Sequence, residues 1–218
     1  MATTRTVIVL AAGSGSRFAA DSHKLAAPFS GGRSVLEATL GQAIASHLHV
    51  VVVTTERFAD LARESVAARD VVVMPEAGLD GSVGVGMGHS ISAGVAVRPH
   101  AAGWLVLPGD MPLVQPSTLV AVARLLDDHA VVYAQHRGKR GHPVGFAPEL
   151  YSELLALGGD EGARRLVARY PAFGVELDDP GILIDIDTAD DLESARRAAP
   201  GEVATAGAGP VSGAFPQR

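Results

Sequence analysis

Five short apolar runs recur along the chain, at residues 7–10, 50–53, 71–74, 104–107 and 131–134, and most of their positions are valine or leucine. A run without polar alternation has no face to offer water, so it must be covered on both sides, as strands of a parallel sheet are. Stretches with helical character separate the runs, near residues 34–46, 58–67, 90–97 and 117–127. In the last of these, Leu119, Val122, Leu125 and Leu126 form one apolar stripe, with Ser117 placed to cap the helix. Strand–helix–strand alternation predicts an α/β fold built on a doubly wound, mostly parallel sheet, with ligands at the carboxyl ends of its strands.

The chain of 218 residues suits one large domain, or one domain and a tail. Aromatic residues are 5% of it against 47% hydrophobic overall, so the core must be made mainly of Val, Leu, Ile and Ala. After residue 135 the pattern changes. A basic, Gly-containing segment at 136–141 predicts a small β-hairpin tip between 131–134 and 144–146. Short helices are expected near 149–155 and 161–168, then a last strand at 182–186 and a helix capped by Thr188, with Asp190 and Asp191 in its first turn. From residue 198 the chain is small and polar without period, which marks 1–197 as the domain and 198–218 as a disordered tail.

A formal charge of -6 and the lack of any basic run interleaved with aromatics argue against nucleic acid as a partner. There is no cysteine, which excludes disulfides, thiolate zinc sites and cysteine nucleophiles. No segment is long enough to span a bilayer, and the apolar run near the N-terminus ends in a Gly-rich loop instead of a cleavage site, so a cytoplasmic location is expected.

The first run leads directly into Leu10-Ala11-Ala12-Gly13-Ser14-Gly15-Ser16-Arg17, with Lys24 further on. Gly13 and Gly15 allow backbone N–H groups to turn toward an anion, and Arg17 and Lys24 add fixed positive charge for phosphate oxygens. The loop lacks the third glycine of a dinucleotide turn and the Gly-Lys-Ser/Thr ending of a P-loop. Taken alone it fits a triphosphate cradle and an ordinary βα turn equally. A second group, Pro108-Gly109-Asp110-Met111-Pro112, follows the run at 104–107 and puts a carboxylate at a strand's carboxyl end, which suits Mg²⁺. In Asp185-Ile186-Asp187 an extended backbone would turn both acids to one side, so that they face one ion. Three glycines at 84–88 lead to a helix start at Ser90 and could approach a base or ribose closely; an N-cap at Ser90 accounts for them nearly as well. The cations near His142 could meet an anionic acceptor, although a solvated hairpin tip is the usual meaning of such a run. Arg164 could reach a phosphate, or simply belong to a capped helix start.

Taken together, LAAGSGSRF with HKL, GMGHSISAG, LPGDMPLV, GKRGHPVGF, GDEGARRL and DIDTADDL resemble, in order and across residues 6–197, the nucleotidyltransferases that mature the molybdenum cofactor, specifically the cytidylyltransferase branch. The resemblance implies a Rossmann-like nucleotidyltransferase fold. It places Leu10, Ala11, Ala12, Gly13, Gly15, Arg17, Lys24, Gly86 and Ser90 around the nucleotide. It gives Arg17, Lys24 and Asp110 to catalysis, and Asp110 with Asp185 or Asp187 to Mg²⁺. His142 and Arg164 are the candidates for holding the acceptor. Ala12 stands where the guanosine-using branch typically has glycine, which implies CTP.

The implied reaction is attack by a terminal phosphate of the molybdopterin cofactor on the α-phosphorus of CTP, with loss of pyrophosphate. A molybdoenzyme chaperone is then a candidate protein partner. Two alternatives stay open: a sugar phosphate or alcohol phosphate as acceptor, and a nucleotide-binding regulatory protein without turnover. One departure stands out. Ala19 follows Phe18 where the family commonly has glycine, and the path to Lys24 is longer.

Overall fold

The computed structural model describes residues 4–13, 18, 23–76, 86–160 and 162–199. In chain order its elements are β1 (Thr6–Ala11), β2 (Pro28–Ser30), β3 (Arg33–Ser34), α1 (Val35–Ala45), β4 (His49–Thr55), α2 (Glu56–Ser65), β5 (Val71–Met74), α3 (Met87–Val97), β6 (Trp104–Pro108), α4 (Pro116–Leu125), β7 (Val131–His136), β8 (Lys139–Phe146), α5 (Tyr151–Leu155), α6 (Arg164–Arg169), β9 (Ala172–Glu176) and α7 (Ala189–Ala198). Seven strands form one sheet in the order β5-β4-β1-β6-β8-β7-β9, and β2 and β3 form a separate hairpin. Within the seven-stranded sheet, among the described residues, only β8 runs against its neighbours, pairing antiparallel with both β6 and β7. The expected mostly parallel, doubly wound α/β sheet is therefore the fold.

Both faces are covered, as continuous apolar strands require. Along β1, Val7, Val9 and Ala11 pack on one side with residues of α1, α2, α4 and α7. Ile8 and Leu10 turn to the other side, against α3, α5 and α6. Trp104 is fully buried on that second face and donates its indole N–H to the Arg98 carbonyl at 3.1 Å, so its one polar group is satisfied.

Several boundaries differ from the sequence expectation, each for a local reason. The hairpin tip narrows to Arg137 and Gly138, both with positive φ (50° and 75°), as a two-residue mirror-image turn demands. The helix expected from Ser117 starts at Pro116, whose ring is preorganised for the first helical position, with Gln115 as N-cap. The carboxylate of Asp179, buried and 61 residues from Thr118, accepts from the Gln115 N–H at 2.9 Å and the Thr118 hydroxyl at 2.6 Å. Ser117 is therefore not the cap. Similarly, α3 starts at Met87 and not at Ser90.

The strand expected at 182–186 is absent. Pro180 has no N–H to donate to a ladder, and a 3₁₀ turn, Pro180–Leu183, forms with Asp179 accepting from the Gly181 N–H. The edge beside β7 is taken by β9, which the sequence reading missed. Thr188 caps α7 as expected, in a reciprocal capping box with Asp191. The helix runs to Ala198; residues 200–218, expected to be a tail, lie outside the described residues.

Candidate active site

The carboxyl ends of β1 and β6 lie side by side, and the chain uses that edge to gather its charges. The Gly109 N–H donates to the Leu10 carbonyl at 2.8 Å, which fixes the turn after β6 against the end of β1 and sets Asp110 in place. Opposite, the Ile186 N–H donates to the Asp110 carbonyl at 3.1 Å while the Ile186 side chain is fully buried. Burying that one side chain turns both flanking acids, Asp185 and Asp187, to the cleft, although no strand forms there. A 3₁₀ turn, Lys24–Ala26, anchored by buried Leu25, carries Lys24 to the same spot.

Lys24 Nζ donates to Asp110 Oδ2 at 2.6 Å and to Asp187 Oδ1 at 2.7 Å. Burial alone would depress the lysine pKa, but the Asp110 charge and the hydrogen bonds Lys24 donates to both carboxylates outweigh it and raise the pKa above the ordinary value. The ammonium is thus charged throughout the physiological range. Asp110 Oδ1 is buried and has no hydrogen-bond partner among the described residues. A buried carboxylate oxygen left in this way is costly unless a cation or donor meets it.

Among the described residues no group of three or more His, Cys, Asp or Glu could hold a metal ion. Mg²⁺ asks for less, because it binds through one or two carboxylates and takes its other oxygens from phosphates and water. Asp110, through Oδ1, with Asp185 or Asp187 from the same cleft wall, fits that demand.

These groups open into a cleft of about 1210 Å³, large for one small ligand and roomy enough for two. Leu10, Ala12 and Gly13 line it; Ala11, pointing the other way along the strand, is buried in the core on the far side and does not. Gly15 and Arg17 lie outside the described residues. Gly86 and Ser90 line the cleft from the start of α3. Gly86 and Gly88 also have a reason the sequence did not suggest. A Cβ on Gly86 would fall 2.3 Å from the Gly159 carbonyl group, and one on Gly88 would fall 2.6 Å from the Gly158 oxygen. The start of α3 is therefore clasped to the 158–159 backbone, with the Gly88 N–H donating to Gly159 O at 2.9 Å and the Gly159 N–H to His89 Nδ1 at 3.2 Å.

His142 lines the cleft from β8 and Arg164 from the start of α6. Burial lowers the His142 pKa, Asp110 and Asp185 oppose the shift and Arg140 adds to it. Its imidazole is neutral near pH 7. Arg140, first grouped with a solvated hairpin tip, also lines the cleft, its guanidinium stacked 4.5 Å from the centre of the Tyr133 ring. The signal was available: two residues past a tight tip, the chain is already back in the sheet.

Comparison with known proteins gives consistent results. Residues 7–173 match the family model described as MobA-like NTP transferase domain. The chain is 36% identical over 118 residues to the purine catabolism protein PucB of Bacillus subtilis, a stretch that covers 52% of this chain and 57% of that one. The structure is similar to Rv0371c from Mycobacterium tuberculosis, with TM-score 0.73 and 28% identity over 89% of this chain and 99% of the other. The same mycobacterial protein, solved as a complex with manganese, aligns with TM-score 0.70 and 26% identity over 90% of this chain and 100% of that one. A nucleotidyl transferase from Methanothermobacter aligns with TM-score 0.71 and 28% identity, covering 89% of this chain and 97% of that one.

Proposed function

The chain belongs to the MobA-like NTP transferase family, and from that premise we propose that it transfers CMP from CTP to the terminal phosphate of the molybdopterin cofactor, releasing pyrophosphate. The observation that carries the proposal is Lys24 held between Asp110 and Asp187 in the cleft that Gly13 also lines, with Asp110 Oδ1 left for a cation. The acceptor oxygen is already anionic, so an oxygen–phosphorus bond can form at the α-phosphorus as the bond to pyrophosphate breaks, without a general base.

The chain's part is positioning and charge. The backbone at Gly13 faces the cleft, and Lys24 supplies a permanent positive charge where negative charge gathers. Asp110, with Asp185 or Asp187, would hold Mg²⁺, which when bound neutralises triphosphate charge and polarises its oxygens. That the mycobacterial relative was solved as a complex with manganese supports a divalent ion for proteins of this fold. His142, Arg140 and Arg164 would receive the acceptor, with the phosphate on the arginines. Ala12 at the cleft wall supports CTP by resemblance to the cytidine-using branch. The cytoplasm is where these substrates would meet, with a molybdoenzyme chaperone as recipient of the product.

The test is pyrophosphate release from CTP, GTP, ATP and UTP with purified molybdopterin cofactor, sugar phosphates and alcohol phosphates as acceptors. CTP with the cofactor is expected to turn over, and Asp110→Ala to abolish release. Turnover with GTP but not CTP refutes the nucleotide assignment; turnover only with a sugar or alcohol phosphate refutes the acceptor. Normal release by Asp110→Ala in Mg²⁺ shows the ion site to be misplaced.

A further inference from the structure

Between Gly13 and Lys24 stands His23, and both of its ring nitrogens are engaged. Nε2 lies 3.0 Å from the Gly13 carbonyl oxygen, and the Leu25 N–H donates to Nδ1 at 3.3 Å. A carbonyl can only accept and a backbone N–H can only donate, so both contacts form together only in the neutral tautomer with its proton on Nε2. The ring also packs edge-on against Phe58 of α2, with centroids 4.9 Å apart, which leaves it little freedom to turn. One imidazole therefore joins the exit of β1 to the turn that bears Lys24, across ten positions of chain.

We propose that His23 is a positioning residue: it ties the Gly13 backbone to the Lys24 turn, so that the two meet a triphosphate as one preset unit. The proposal rests on the cleft being a triphosphate site. Nine residues separate Gly13 from His23, and holding the ends of such a segment together costs conformational entropy that a fixed cross-contact offsets in advance. The longer path to Lys24 that sets this chain apart from its family is thereby bridged by a side chain.

The charged groups facing the ring are Arg57 on α2, Lys24 beside it and Glu76 after β5. Burial lowers the His23 pKa, the Gly13 bond opposes this, Arg57 and Lys24 lower it further, and Glu76 opposes them. The tie is accordingly intact at neutral pH and lost as pH falls through the lowered value, when a second proton on Nδ1 would meet the Leu25 N–H.

Two substitutions separate the tie from simple capping of the turn. His23→Asn keeps an acceptor for the Leu25 N–H but is too short for Gly13, whereas His23→Gln places an amide N–H near the Nε2 position. In steady-state assays His23→Asn is expected to raise KM for CTP roughly five- to tenfold, the loss of about one hydrogen bond, with kcat changed much less. His23→Gln is expected to recover most of that loss. A His23→Asn enzyme with wild-type KM, or a fall in kcat at constant KM, overturns the proposal.

Nitrogen NMR of the ring in the ligand-free wild-type protein provides a readout that does not need activity. The Nε2–H tautomer is expected, and an Nδ1–H ring overturns the tie outright. A wild-type protein with the Nε2–H ring that binds none of CTP, GTP, ATP and UTP and releases pyrophosphate from none of them refutes the triphosphate reading and the positioning role built on it, while leaving the contact itself in place. The two failures are thus distinguishable.

Discussion

Lys24 shows how one side chain can be both structural and chemical. It joins two carboxylates that would otherwise repel each other, and it supplies the charge proposed to meet a phosphate. Lys24→Ala is expected to reduce kcat by roughly a hundredfold or more in pyrophosphate release, as loss of a preorganised positive group does. Its raised pKa also has a consequence for stability. A lysine whose folded pKa exceeds its ordinary 10.5 contributes stability that is fully present below about that pH and is lost as pH rises through the folded value. Melting temperatures measured on either side of pH 10.5 should fall further for the wild type than for Lys24→Ala. At this scale the sequence was legible where spacing alone carried the information. Asp185 and Asp187 both face the cleft because Ile186 is buried between them. His23 was not legible as a site residue, because its role depends on a contact with Gly13 that no local pattern connects to it.

Among the elements, the segment around Asp179 shows where local signals fail. Ser117 has the residue type favoured at an N-cap, yet the chain uses a carboxylate from far along the sequence. The same carboxylate accepts from the Gln115 N–H and the Gly181 N–H, so it links the start of α4 to the turn that leads on to Asp185 and Asp187. Asp179→Ala leaves buried donors without a partner and is expected to cost about 3 kcal/mol in urea unfolding. Turnover should fall too, since that turn positions the acids; unchanged stability would mean that water replaces the carboxylate at little cost. The parallel strands could be read directly, because burial on two faces writes itself into uninterrupted valine. β9 could not: Phe173 and Glu176 are exposed on this edge strand, so its pattern carries little apolar signal.

For the molecule as a whole, the single reversed strand matters most. Because β8 runs opposite to β6, the residues just past its hairpin turn, Arg140 and His142, come to lie in the cleft. Sequence alternation foretold the layers, but not which strand would reverse or that the reversal would supply a wall of the cleft. CTP with a divalent ion should raise the melting temperature: at a hundred times Kd, binding to the folded state adds about 2.7 kcal/mol. A chelator should remove that gain. It should leave the melting temperature of the nucleotide-free protein unchanged, and a fall there would show that the acids depend on metal to fold. The reason lies in the lysine that spans Asp110 and Asp187. The chain carries its own counter-ion, covalently attached and always to hand. Folding can therefore be complete without a metal, and the proposed ion would arrive as a passenger on the nucleotide.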